Sequence, residues 1–167
     1  MLCISSILPP SLDNFKSTVF MKIDKLNIEI IRHLQDGRKS FKKIADELAV
    51  TENTVRSRVN KMEKEGILKI SGLVPPDAVP GSTLVFVGVK LSNADLINMG
   101  EKFSKLRGVI STSVVTGRYD LIATVFLQEG FGLLEFYTEE VNHLEGIQSV
   151  ESFVVYKGYN LHVPYPH

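Results

Sequence analysis

Between residues 21 and 66 the apolar side chains recur every three or four positions, the period of helices that bury one face. In "KIDKLNIEIIRHLQDG", Ile23, Leu26, Ile30 and Leu34 share a side, Asp24 is placed to cap the start, and Gly37 to end it. "SFKKIADELA" repeats the pattern, with Ser40 as cap and Phe41, Ile44, Ala45 and Leu48 inward. After the break "AVT", Thr51 caps a third helix whose buried stripe is Val55, Val59 and Met62, ending at Gly66. Two short helices three or four residues apart, the second one basic, form a helix-turn-helix. "GILKISGLV" alternates as a wing strand would, and "PPDAVPG" reads as a linker, because Pro75, Pro76, Pro80 and Gly81 prevent regular structure.

Beyond the linker the period changes. "TLVFVGVKL" is a strand, "NADLINMGEKFSKLRG" a helix with Leu96, Met99, Phe103 and Leu106 on one side, and "VISTSVV" a strand. After the break "TGRYD" the order repeats as strand "LIATVFL", helix "FGLLEFYTEEVNHLEG" and strand "IQSVESFVVYKG". "LRGV" and "LEGI" echo each other where each helix passes into a strand. The expected fold is α+β: a winged helix-turn-helix followed by a ferredoxin-like βαββαβ unit. The expected divisions are an extension at 1–20, a DNA-binding domain at 21–70, a linker at 71–82, a ferredoxin-like domain at 83–160 and a tail at 161–167.

Two strands carry a further expectation. Leu84 to Val89 and Leu121 to Leu127 are apolar at almost every position, although helices cover only one face of such a sheet. A large second apolar face rarely stays wet, so a homodimer through sheet faces is expected.

Charge changes the picture more than composition does. The formal net charge is zero, yet residues 21–72 carry twelve Lys/Arg against eight Asp/Glu, and residues 73–167 six against ten. A basic first part and an acidic second part suggest two jobs, one at a polyanion, unless the division is chance. No apolar run approaches the roughly 20 residues of a membrane span. The single cysteine, Cys3, forms no internal disulfide and builds no zinc site, which points to a reducing cytosol and no cofactor metal. Residues 1–20 lack a basic start and are broken by Pro9 and Pro10, so they make a poor secretion signal and receive no function.

The third helix turns its polar side chains away from Val55. At about 100° per residue, Asn53, Ser57, Asn60 and Lys61 lie opposite it, flanked by Thr54 and Arg56. Such groups hydrogen-bond base edges and phosphates in a major groove. Thr51 begins the same helix, and Lys39, Lys42 and Lys43 open the second one, where backbone contacts are usual. Arg58 lies nearer the buried edge, to pair with Asp46 or Glu47 or to reach a phosphate. The bland reading is a three-helix bundle with a solvated polar face.

This order of parts, with "IDKLNIEIIRHLQDGRKSFKKIADELAVTENTVRSRVNKMEKEGIL" and "VVTGRYDLIATV", resembles the Lrp/AsnC family of transcription regulators. The resemblance spans Met21 to about Tyr159. It implies a cytoplasmic regulator of double-stranded DNA at near-palindromic operators, assembling as dimers into tetramers or octamers, with amino-acid effectors bound between C-terminal domains. It places the effector loop at Thr116, Gly117, Arg118, Tyr119 and Asp120, with Asp120 accepting an α-ammonium group. Tyr119 would form a wall and Arg118 would meet a carboxylate; the alternative is that Arg118 and Asp120 pair with each other or with a neighbouring subunit. Two departures stand out: Ala49 where the family commonly has Gly in the turn, and Arg118 where it has an acidic or small residue. Two rival functions are a non-specific architectural DNA binder and a tetrapyrrole decarboxylase of similar architecture, which would use His143, His162, Arg107 and Arg118; no nucleophile–base pair supports an enzyme.

Overall fold

Each helix of the first unit begins at a side-chain cap. The computed structural model describes residues 23–92 and 95–165, and the chain divides into two units between Ile70 and Ser71. The extension at 1–20 and the expected domain start at Met21 lie outside the described residues. α1 (Lys25–Leu34), α2 (Phe41–Glu47) and α3 (Glu52–Lys64) are capped by Asp24, Ser40 and Thr51, whose side chains accept from the N–H groups of Asn27, Lys43 and Thr54. Ile30, Ile44, Ala45, Val55, Val59 and Met62 form the core, with Leu26, Leu34, Phe41, Leu48, Ile67 and Leu68 packed around it. Ile23, expected inside, is 42% exposed, while Asn27 is buried on that face. α1 stops at Leu34 with Gln35 as C-cap, ahead of Gly37.

The turn between α2 and α3 puts Ala49 at φ 53°, in the left-handed region. A residue with a Cβ pays roughly 1–2 kcal/mol there, against about 0.4–1 kcal/mol for the extra freedom glycine has when unfolded. Ala49→Gly should therefore stabilise the protein by about 0.5–1 kcal/mol in urea denaturation. An unchanged or lower midpoint would show that the turn carries no strain.

The second unit is the expected βαββαβ arrangement. β2 (Thr83–Leu91), α4 (Leu96–Ser104), β3 (Val109–Val114), β4 (Leu121–Leu127), a helical segment over 133–143 and β5 (Ile147–Val154) follow in order, and the antiparallel sheet runs β3-β4-β2-β5. Val85, Val87, Val89, Leu121, Ala123 and Val125 alternate onto the face that meets Phe103 and Phe136. The helical segment starts as α5 (Leu133–Glu135), widens into a π-helical turn over Phe136–Glu140 and closes as a 3₁₀ turn, Val141–His143. Residues five apart in an α-helix point about 140° away from each other. The wider turn brings Phe136 and Val141, both buried, toward the same core.

Two expectations need correction. No wing follows α3. Instead Leu73–Val74 (β1) pairs with Val163–Pro164 (β6), Leu73 opposite Pro164 and Val74 opposite Val163. The alternation was real, but its backbone partner comes from the tail. The second correction concerns the outer sheet face, which this chain covers in part by itself. Leu84 and Phe126 are each 1% exposed beneath Val163, together with Val79, Ile110, Val155 and Leu161. Phe86, Ile122 and Phe153 remain 37%, 40% and 45% exposed. Phe86 pairs with Phe153 across β2 and β5, and Ile122 of β4 stands opposite Gly88 of β2, so the three uncovered apolar side chains share the outer face of neighbouring strands.

Candidate nucleic-acid interface and effector loop

Helix α3 is built with two unlike sides. Val55, Val59 and Met62 are at most 1% exposed, which fixes its rotation, and Asn53, Arg56, Ser57, Asn60 and Lys61 are all exposed on the remaining surface. Thr54 is half-buried and its hydroxyl is 2.8 Å from that of Thr51, the cap, so this pair shapes the helix start. Arg56 is held 2.6 Å from Glu52 one turn back, and its guanidinium lies 5.4 Å from the centre of the Phe41 ring. Lys61 is 3.9 Å from Glu65.

The basic residues divide into outward and inward sets. Lys42 and Lys43 are exposed. Lys39 is turned in, its ammonium 2.7 Å from His33 Nδ1 and also donating to Glu47. That ion pair holds the Glu47 carboxyl below its ordinary range. Arg58 pairs within the domain, but with neither Asp46 nor Glu47: it donates to Asp24 and, at 2.9 Å, to the amide oxygen of Asn27. The Arg58 hydrogen bond and the Asn27 N–H together lower the pKa of Asp24. Thus Arg58 ties α3 to the first turn of α1 and satisfies the buried amide. Periodicity could not reveal Asn27, since a polar residue breaks the apolar count even where it is inside.

The loop between β3 and β4 is fastened, not free. Gly117 has φ 137°, which side chains rarely adopt, and nothing stands within 4 Å of where its Cβ would be. Asp120 Oδ2 accepts from the Leu91 N–H at 2.8 Å and Oδ1 from Lys90 Nζ at 2.8 Å, while its own N–H donates to Val89 O at 2.9 Å. The Leu91 N–H, then the Lys90 ammonium, hold the Asp120 carboxyl below its ordinary range. Asp120 therefore pins the loop to the end of β2. Thr116 and Arg118 are exposed, and Arg118 lies 3.1 Å from Glu151. Tyr119 donates its hydroxyl to the same Glu151, and this hydrogen bond raises its pKa. Its ring covers Gly88 so closely that a Cβ there would sit 2.8 Å from it. The ring also meets Phe153 edge-on, centres 6.1 Å apart. Arg118 and Asp120 do not pair with each other: Arg118 faces Glu151 and Asp120 faces Lys90. Lys90 was missed by sequence reasoning, since only strand pairing brings β2 to the loop.

The residues that an enzyme of this architecture would use do not converge. Arg107 stacks 3.5 Å over the Phe131 ring and pairs with Glu139 and Glu140, away from the Arg118–Glu151 pair on β5. His143 and His162 are both exposed. Among the described residues no group of His, Cys, Asp and Glu is placed to hold a metal, and no helix is long and apolar enough to cross a membrane.

Comparison with known proteins joins the two units. Residues 23–63 match the AsnC-type helix-turn-helix domain, and residues 84–164 match the Lrp/AsnC ligand binding domain. An HTH-type transcriptional regulator of Pyrococcus furiosus is 33% identical over 135 residues, covering 80% of this chain and 91% of that one. The structure of Escherichia coli AsnC superposes with a TM-score of 0.60 at 25% identity, over 83% of this chain and 95% of that chain. A feast or famine regulatory protein of Mycobacterium tuberculosis, solved with L-methionine, superposes at 0.62 and 21% identity, over 85% and 99% of the two chains.

Proposed function

From the premise that this chain belongs to the Lrp/AsnC family of transcriptional regulators, we propose that it reads a two-part DNA operator as a homodimer and answers to an amino-acid effector. The observation that carries the reading is α3, whose buried stripe leaves Asn53, Arg56, Ser57, Asn60 and Lys61 facing outward. Asn and Ser hydrogen-bond base edges; Lys61, Lys42 and Lys43 supply phosphate contacts. Arg56 reaches DNA by exchanging Glu52 for a phosphate, and Lys39 and Arg58 act by holding the domain together. Two such helices, related by a two-fold axis, address half-sites about 34 Å apart, on a near-palindromic operator. The uncovered strip of Phe86, Ile122 and Phe153 supports pairing with a second copy, because Arg118 and Glu151 at its edge give a two-fold mate complementary charge. The cytoplasm is the setting such a regulator requires.

The M. tuberculosis relative carries L-methionine, which supports an amino acid as the effector class. The loop Thr116–Asp120 is the proposed receptor. Asp120 holds the loop's shape, Gly117 allows close approach, Tyr119 lines the wall, and Arg118 and Glu151 offer the opposite charges that a zwitterion presents. The effector shifts assembly and DNA binding only by its difference in affinity between assembly states.

Selection of duplexes from a random pool tests the reading. The expected result is an enriched inverted repeat, with Asn53→Ala and Asn60→Ala each costing about 1–3 kcal/mol of discrimination at one base position. Lys42→Ala should weaken all duplexes alike and lower the salt slope by about 1. Equal affinity for selected and scrambled duplexes would contradict sequence reading and favour the architectural role.

A further inference from the structure

The connector between the two units is fastened at several points by the C-terminal segment. Ile67 and Leu68 pack on the first core and β2 begins at Thr83, which leaves residues 69–82 between them. Left loose, fourteen residues would span up to about 50 Å. Most of them are tied down. Val74 and Leu73 pair with Val163 and Pro164, and the Tyr165 N–H donates to Gly72 O at 3.4 Å. Lys157 Nζ reaches Asp77 Oδ2 at 2.8 Å, and Ser82 Oγ donates to Pro76 O at 2.9 Å. Val163 is 4% exposed where it packs with Leu84 and Phe126, so the tail is anchored to the sheet that it fastens the connector to. Between the first core and the paired strand β1 lie only residues 69–72, the last of them held by the Tyr165 N–H alone, a span of at most about 14 Å.

We propose that β6 is a latch on the connector, and that by shortening the free tether it determines which half-site spacing the paired α3 helices accept. This rests on the reading of the chain as a dimeric reader of a two-part operator. A long loose tether lets each head find its half-site over many spacings; a four-residue tether does not, because effective concentration falls to nearly nothing where the linker cannot reach. The tail thus acts as a specificity element that contacts no DNA.

Two variants of the full-length protein test the latch, both in a Cys3→Ser background. One lacks residues 162–167. The other carries Val74→Cys and Val163→Cys, directly opposed positions within disulfide reach. The probes are the selected operator, the same operator with five base pairs inserted between half-sites, and a single half-site. The unmodified protein should prefer the original spacing by at least about tenfold, and truncation should shrink this below about threefold while half-site affinity stays level. The oxidised cross-linked protein should bind and discriminate as its reduced form does. A truncated protein that still assembles, binds the half-site and keeps the full spacing preference overturns the latch. Should truncation prevent folding, the cross-link decides: about tenfold weaker operator binding on oxidation would mean the pairing must open, against the proposal. Absence of any operator binding by the unmodified protein would instead remove the functional reading on which the latch stands.

Discussion

Ile122→Asp should split the assembly into single chains and weaken operator binding by about a hundredfold or more. Ile122 stands on the outer face of β4, opposite Gly88 and between the inward-facing Leu121 and Ala123. At 40% exposure it contributes little to the chain's own core, so an Asp there stays hydrated and the single chain folds. In a two-fold pair the same carboxylate is buried against an apolar strip and near its own copy. Burying a whole Ile is worth roughly 1.5–3 kcal/mol, so the exposed part of Ile122 is worth about 0.6–1.2 kcal/mol, and the pair loses two of them. At 1.4 kcal/mol per tenfold, that weakens pairing by about one to two decades before the cost of burying two carboxylates is added. Operator affinity follows, because unlinked heads lose the advantage of binding the second half-site intramolecularly. Gel filtration should show the shift, circular dichroism should show an intact fold, and Ile122→Val should behave as the parent. An Ile122→Asp protein that remains paired and binds the operator normally would place the interface elsewhere.

The second large effect falls on stability. Asp120→Ala should cost about 3 kcal/mol at pH 7, from two hydrogen bonds to a charged carboxylate and an abandoned Leu91 N–H, at a half-buried side chain. The folded state holds the Asp120 carboxyl below its ordinary range. A lowered folded pKa means that the ionised group contributes fully above the unfolded value of about 3.9, and loses its contribution as pH falls through the lowered value. The gap between parent and variant should therefore be widest at neutral pH and narrow below about pH 4. Urea denaturation across that range measures it; a constant gap would mean the carboxylate's charge is not what holds the loop. Because Asp120 supports the fold, its loss would disturb ligand binding indirectly. Arg118, whose side chain is 78% exposed, is the cleaner probe: Arg118→Ala should weaken amino-acid binding and leave the melting temperature unchanged.

What could be read from the sequence was whatever repeats at short range. The helix stripes, the caps Asp24, Ser40 and Thr51, and the strands of the second unit all declare themselves within a window of a dozen residues. Ala49 was legible as a departure, and it takes the left-handed conformation that a glycine would take freely. The features that escaped depend on residues distant in the chain. Arg58 reaches back to Asp24 and Asn27 on α1. β1 finds its partner in β6 at the other end of the unit, and in doing so replaces the expected wing. Apolar runs in Leu84–Val89 and Leu121–Leu127 announced a second buried face, but could not say that Val163 and Leu161 cover one end of it. In the loop, Gly117 and Asp120 were legible as unusual for a plain turn. The loop's fastening was not, because Lys90 and Leu91 meet Asp120, and Glu151 meets Arg118 and Tyr119, only once the sheet is assembled.

Sedimentation equilibrium of the unmodified protein at micromolar concentration, without DNA, tests the pairing claim most directly. The account predicts a mass of two chains or an even multiple, rising to defined larger assemblies or falling back to pairs as an amino acid is added. A single species of 18.6 kDa, the mass of one chain, would contradict it.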